Sequence, residues 1–367
     1  MRALGIDPGT SSFDFCCLDD KANIATYEAS VPTAIVAQAP ENLISVVKDA
    51  EADVIVGPSA MGLPVTHLSE ITDLKLAQAT LGKNTEVDIG IRRFIKMLQE
   101  LNLNVFFIPS VIQLSTVPLY RKRNKVDMGT ADKTCITALA LWDYANRQGE
   151  DYRDANFIVL ELGFGFNAIM AVENGKIIDG IGGSNFPGPG YLTIGAMDLE
   201  LIHTLGSFTE AELGYGGIAY AAEELILPEE FAERREEDKI ASAWNSLVEG
   251  VVKAVAMELT VFAETPLEIL LSGRLARVPT LYSTLEKNLK RYDIPIRQLE
   301  GYAKKSKEAA QGAALIASGL AGSTYADLVD VLELQGARGT VLDYIRWPGF
   351  NAEETIRKKL RAMKMGH

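Results

Sequence analysis

Residues 156–179, NFIVLELGFGFNAIMAVENGKIID, decide how the rest of the chain is read. The run 156–162 is apolar on both alternating faces, the pattern of a strand buried on two sides, and it ends in Gly163-Phe164-Gly165. Two further strands, 167–173 and 176–179, are joined by Asn174-Gly175, a two-residue turn that tolerates positive φ. Working back toward the start of the chain, residues 3–29, ALGIDPGTSSFDFCCLDDKANIATYEA, repeat this order. Apolar residues 3–8 end in Gly9-Thr10-Ser11-Ser12, and strands at 13–18 and 23–29 follow. A strand-turn-strand-strand opening that occurs twice, about 155 residues apart, predicts a duplicated fold.

Each opening is followed by alternating helices and strands. In the first half, helical stretches around 41–50 and 86–101 precede short apolar runs at 54–57 and 104–108. In the second half a long helix at 241–264 precedes a strand at 267–271 and the turn Ser272-Gly273. A helix at about 131–146 connects the halves, and EAAQGAALIASGLA at 308–321 is a small-residue helix able to approach its neighbours closely. The expected organisation is an α/β protein with domains at 1–150 and 151–321 and an appendage at 322–367. The mixed charge run at 228–239 reads as a solvated helix face.

Composition narrows the function. The 367 residues carry 36 Lys+Arg against 49 Asp+Glu, a formal charge of −13. Duplex nucleic acid selects for a positive surface, so a nucleic-acid partner is not expected, nor a nuclease read from Gly5-Ile6-Asp7-Pro8-Gly9 alone. No uncharged apolar run approaches the ~18 residues of a membrane-spanning helix, and no membrane partner is expected. Cys16, Cys17 and Cys135 form no metal or redox spacing and read as small core residues of a cytoplasmic protein. Three histidines are too few for a histidine-rich metal centre.

Phosphate binding needs backbone N–H groups that converge with no Cβ in the way, and a carboxylate to hold the water shell of Mg²⁺. Asp7-Pro8-Gly9-Thr10-Ser11-Ser12 offers both: Asp7 faces the metal, Gly9 opens the loop, and Thr10, Ser11 and Ser12 donate hydroxyls. Gly163-Phe164-Gly165-Phe166-Asn167 occupies the equivalent turn of the second half, so two glycine loops are expected to face each other. Ser272-Gly273-Arg274, after a buried strand and before a helix, suits the ribose and adenine of a nucleotide.

Phosphate-1 loop, connecting helix, phosphate-2 loop, adenosine turn and closing small-residue helix, in that order, resemble the superfamily of actin, heat-shock ATPases, sugar kinases and acetate kinases. Within it the chain is most similar to acetate and butyrate kinases, and more closely to an archaeal family described as predicted butyrate kinases, over roughly residues 1–320. Gly163-Phe164-Gly165 stands where those kinases have a Leu-Gly-x-Gly loop, and Asn174-Gly175-Lys176-Ile177-Ile178-Asp179 where they have a Gly-Lys-Val-x-Asp hairpin. Gly188-Pro189 and Gly195-Ala196-Met197-Asp198-Leu199 resemble their Gly-Pro and Gly-Asp-Leu stretch, and Leu271-Ser272-Gly273-Arg274-Leu275-Ala276 their Thr-Gly-Gly-Leu-Ala. The resemblance implies a duplicated ribonuclease-H-like, actin-like ATPase fold with two domains around an interdomain nucleotide cleft. It also implies ATP and Mg²⁺ as cofactors, a small-molecule substrate such as butyrate, and a homodimer. Gly312 of the closing helix is counted with the nucleotide-binding residues.

Three positions depart from the acetate and butyrate kinase pattern. Pro58 stands where an arginine is expected, Glu161 where a histidine is expected, and Asp7 where those enzymes have asparagine. Asp132, in Gly129-Thr130-Ala131-Asp132-Lys133, instead resembles the Gly-x-Asp-Arg stretch of type III pantothenate kinases, whose aspartate acts as base toward a hydroxyl. Cations for the transition state are sought among Arg121, Arg123, Lys133 and Arg274; Arg121-Lys122-Arg123 reads as a solvated run, which leaves Lys133 and Arg274. Glu161 either orients a Mg²⁺ water or is a strand-end residue in solvent. The expected function is ATP-dependent phosphoryl transfer to a short carboxylate or a small hydroxyl compound. The alternative is an ATP-driven conformational switch read by a protein partner.

Overall fold

The computed structural model describes residues 1–83, 85–206, 215–222 and 225–365. In the first half β1 (Arg2–Pro8), β2 (Ser12–Asp19) and β3 (Ile24–Pro32) form an antiparallel meander. On the other side of β1 lie β4 (Val54–Val56), β6 (Val105–Phe107) and β5 (Thr66–His67), giving the order β3-β2-β1-β4-β6-β5. The second half builds β7 (Phe157–Leu162), β8 (Asn167–Glu173), β9 (Lys176–Ile181), β10 (Glu268–Ser272) and β11 (Ile296–Gln298) into a sheet ordered β11-β10-β7-β8-β9. In both sheets an antiparallel meander leads to parallel pairing on the far side of its first strand. The duplication expected from residues 3–29 and 156–179 is therefore present, with β1 and β7 in equivalent places.

Alternation along these strands sorts side chains between layers. Phe157 and Val159 of β7 face a middle layer, whereas Ile158 and Leu160 face the helices Asp238–Leu259 and Pro279–Leu289 on the outer side. Leu4 and Ile6 of β1 face the outer helices Asn42–Asp49 and Glu86–Glu100. The middle layer holds the connecting helix Ala131–Gln148 and the closing helix Glu308–Leu320, and it fills one core between the two sheets. Gly5 is required there, because a Cβ on it would come within 2.7 Å of the Ala313 Cβ and closer still to the closing-helix backbone. Residues 308–320, which belong in sequence to the second half, thus pack on the first sheet.

Two further segments contribute to the cores. The charge run at 228–239 is not wholly solvated: it is divided between the helix Pro228–Glu233, where Phe231 is buried against Tyr191, and the start of the following helix. Part of the segment at 322–367 packs on the rest of the molecule. Tyr325, Leu328, Val329 and Leu332 join the middle core, and the helix Ala352–Met365 packs on Asp73–Ala79. Among the described residues no helix is long and apolar enough to cross a membrane.

Candidate active site

The first loop leaves the sheet where β1 ends. Asp7 is 6% exposed and lies opposite Asp14 of β2 in the strand register. Gly9 follows, and Thr33 Oγ1 donates to its carbonyl at 2.8 Å. A Cβ on Gly9 would stand 2.8 Å from the Lys307 ammonium and from the Ser12 carbonyl, so only backbone fits. The second loop is closed by Gly163 N donating to Phe166 O at 3.0 Å and by Thr193 Oγ1 donating to Gly165 O at 2.7 Å. The two loops meet: a Cβ on Gly165 would lie 2.9 Å from Thr10 Oγ1. The third turn reaches φ +88° at Gly273 and abuts the end of β7, where a Cβ would be 2.5 Å from the Leu162 carbonyl. These turns line one cleft of about 1270 Å³ between the halves.

At its floor lies a cluster of carboxylates and lysines. Gly129, at φ +117°, turns the chain into the connecting helix, and the Thr130 hydroxyl donates to Asp132 Oδ1. Lys133 Nζ sits 2.5 Å from Asp132 Oδ2 and 2.6 Å from Glu161 Oε2, joining the start of that helix to the end of β7. Burial opposes the charge on Lys133, but its two carboxylate partners hold the ammonium firmly protonated. Burial likewise opposes ionisation of Asp132, yet Lys133 and Thr130 hold its carboxyl below the ordinary range. Asp7 behaves oppositely: burial, then the Asp132 charge, push its carboxyl up, with Lys307 and Lys133 working against them. Burial also raises Glu161, against the pull of Lys133.

The cleft gathers Asp7, Gly9, Thr10, Ser11, Asp132, Lys133, Glu161, Gly163, Phe164, Gly165, Gly273 and Arg274. Four expected nucleotide contacts are not among its lining residues. Ser12 turns its hydroxyl to Asp14 at 2.8 Å, and Asn167 is buried with Nδ2 donating to Pro189 O at 3.2 Å. Ser272 is 1% exposed within β10. Gly312 serves the packing of two helices, since a Cβ there would overlap the Cys135 carbonyl. Lys133 is already shared by two carboxylates, so it neutralises the floor rather than waiting as a spare cation. Glu161 is held by that lysine, not by solvent. Arg274 stacks 5.1 Å from the centre of the Phe164 ring and pairs with Glu229 at 3.6 Å, on the side of the third turn. Arg121-Lys122-Arg123 is not a solvated run: Arg121 donates to Ile178 O at 2.8 Å, and Lys122, 3% exposed, donates to Leu114 O at 2.6 Å.

Sequence reasoning missed the strap 300–307. It brings Lys304, Lys305 and Lys307 to the cleft, and its backbone N–H groups at Lys305 and Ser306 each donate to Glu28 at 2.7 Å. Its signal was Lys304-Lys305-Ser306-Lys307 immediately before the small-residue helix. Asp14 was missed too; period-two alternation makes it one more strand residue.

Glycine turns that a Cβ would fill form cradles suited to a phosphate chain, and the carboxylate oxygens of Asp7 and Glu161 have the hardness that Mg²⁺ prefers. Among the described residues no three His, Cys, Asp or Glu side chains are arranged to hold a metal unaided.

The family described as Protein of unknown function (DUF1464) matches residues 5–347. The chain belongs to that family. No curated protein matches the sequence. In structure it is similar to a propionate kinase from Francisella tularensis, with TM-score 0.61 and 14% identity over 85% of this chain and 98% of the other. It is also similar to the acetate kinase of Entamoeba histolytica, with TM-score 0.58 and 12% identity over 79% of this chain and 87% of the other. The acetate kinase of Porphyromonas gingivalis gives TM-score 0.57 and 14% identity, with 79% and 88% covered. At such identities these likenesses establish the fold: this DUF1464 protein has the duplicated actin-like ATPase architecture.

Proposed function

We propose that this protein is a Mg²⁺-dependent phosphotransferase that moves the terminal phosphoryl group of ATP to a small molecule. The observation that carries the reading is the meeting of the Gly9–Thr10 and Gly163–Gly165 loops above the Asp7, Asp132, Lys133 and Glu161 cluster. The fold shared with acetate and propionate kinases supports it. Phosphoryl transfer requires alignment and charge stabilisation more than covalent participation by protein groups. The glycine loops supply N–H donors, Asp7 orients the metal's water shell, and Gly273 with Arg274 flanks the adenosine. Mg²⁺, when bound, offsets the charge of the phosphate oxygens.

The acceptor is better read as a hydroxyl than as a short carboxylate such as butyrate. Asp132, ionised at the start of the connecting helix, is a carboxylate able to take a hydroxyl proton. A cytoplasmic setting accords with three free, buried cysteines.

The test is calorimetric titration of wild type and Asp7→Ala with Mg²⁺–ATP, then ADP release against panels of small alcohols and short carboxylates. Saturable binding, weakened about tenfold or more in the variant, with release stimulated by an alcohol and abolished in Asp132→Asn, is the expected outcome. Stimulation by carboxylates alone would replace the acceptor; tight binding without turnover would favour the switch; no binding would end the reading.

A further inference from the structure

Charge is unevenly distributed at the phosphate end of the cleft. Asp7, Asp14, Asp132 and Glu161 gather there around two ammonium groups, Lys133 and Lys307. A triphosphate adds several negative charges to this cluster. Lys133 is 9% exposed at its side chain and already shared by two carboxylates. Lys307 differs. Its ammonium pairs with Asp14 Oδ2 at 2.8 Å and donates to Ser12 Oγ at 2.8 Å and Ser12 O at 3.2 Å, yet the side chain keeps 38% of its exposure. It lines the cleft and stands 2.8 Å from where a Gly9 Cβ would be, directly over the first loop.

We propose that Lys307, while paired with Asp14, is also a phosphate-contacting residue whose partly exposed ammonium reaches the β- or γ-phosphate of a nucleoside di- or triphosphate in the cleft. The inference rests on the phosphotransferase reading and goes beyond it by giving a role to a strap that no glycine loop contains. Two features fit the role. Asp14 is buried, 3% exposed at its side chain, and anchors one side of an ammonium that also lines the cleft. The backbone of the strap is clamped by Glu28 and by Ser306 Oγ donating to Phe15 O at 2.8 Å, which fixes Lys307 at the head of the closing helix.

The experiment compares binding of Mg²⁺–ATP, Mg²⁺–ADP and AMP to wild type, Lys307→Ala and Lys307→Arg by calorimetry. Because Lys307→Ala leaves Asp14 buried without its partner, the double variant Asp14→Asn/Lys307→Gln removes both charges and keeps the fold testable. The expected result is a loss of Mg²⁺–ATP affinity of about 10- to 100-fold in Lys307→Ala and in the double variant, partial recovery in Lys307→Arg, and AMP affinity unchanged within about twofold. A purely structural lysine would weaken all three ligands alike, and that outcome, or unchanged Mg²⁺–ATP affinity, overturns the inference while leaving the phosphotransferase reading intact. Failure of the wild-type chain to bind any of the three would overturn both together.

Discussion

A methyl group at Gly312 would overlap the Cys135 carbonyl, whereas one at Gly165 would meet only the Thr10 side chain at 2.9 Å. The first obstacle is backbone in a close-packed helix pair; the second is the end of an exposed threonine that can rotate away. Gly312→Ala is therefore expected to lower stability by roughly 1–3 kcal/mol or more, read as a fall in the denaturant midpoint. Gly165→Ala should stay within about 0.5 kcal/mol of wild type in the same measurement. It should nevertheless weaken Mg²⁺–ATP binding in calorimetry, because the added carbon stands between the two loops. Equal losses of stability in the two variants would contradict this division of glycines into packing and binding roles.

At the scale of elements, the strap depends on one acid from the opposite sheet. Burial works against the charge of Glu28, but the N–H groups of Ser306, Lys305 and Lys304 hold its carboxyl below the usual 4.5. A carboxyl held low in the folded state contributes stability above its unfolded value and loses it as pH falls through the folded one. Wild type should thus lose stability on acidification below about pH 4.5. Glu28→Gln should be less stable at pH 7 and show a shallower decline, checked by denaturant midpoints across that range. The strap also marks where sequence reading stops. Strands β1, β2, β7 and β8 were legible because burial of both faces makes them nearly continuous apolar runs, and the helix at 308–321 because its small residues imply close approach. Lys304-Lys305-Ser306-Lys307 has no such periodicity, and a basic run is ordinarily solvated. Only the tertiary position of Glu28, some 280 residues away, turns it toward the cleft. The same limit misplaced Arg121 and Lys122, whose partners, the Ile178 carbonyl and Asp179 carboxylate for one and the Leu114 carbonyl for the other, are set by the tertiary fold.

Across the whole molecule, the far end of the connecting helix is tied down by charge. Arg297 of β11 bonds Asp143 of the helix, and its Nε donates to Glu268 of β10 at 2.8 Å; Arg147 joins Glu268 as well. Asp143 and Glu268 are 4% and 6% exposed, so Arg297→Met leaves two buried acids short of a partner. The expected loss is about 3–5 kcal/mol, measured as a drop in the unfolding midpoint, with a smaller loss when Asp143→Asn accompanies it. Gly5, lying so close to the closing helix, and Gly312, lying so close to the connecting helix, carry a different consequence. The sheets share one middle core, with two helices spanning it, so the halves have no slack tether on which to swing. Narrowing of the cleft around a nucleotide would then proceed by shear, each helix gliding a short way along its neighbour, in steps limited by how far backbone can slide without losing contact.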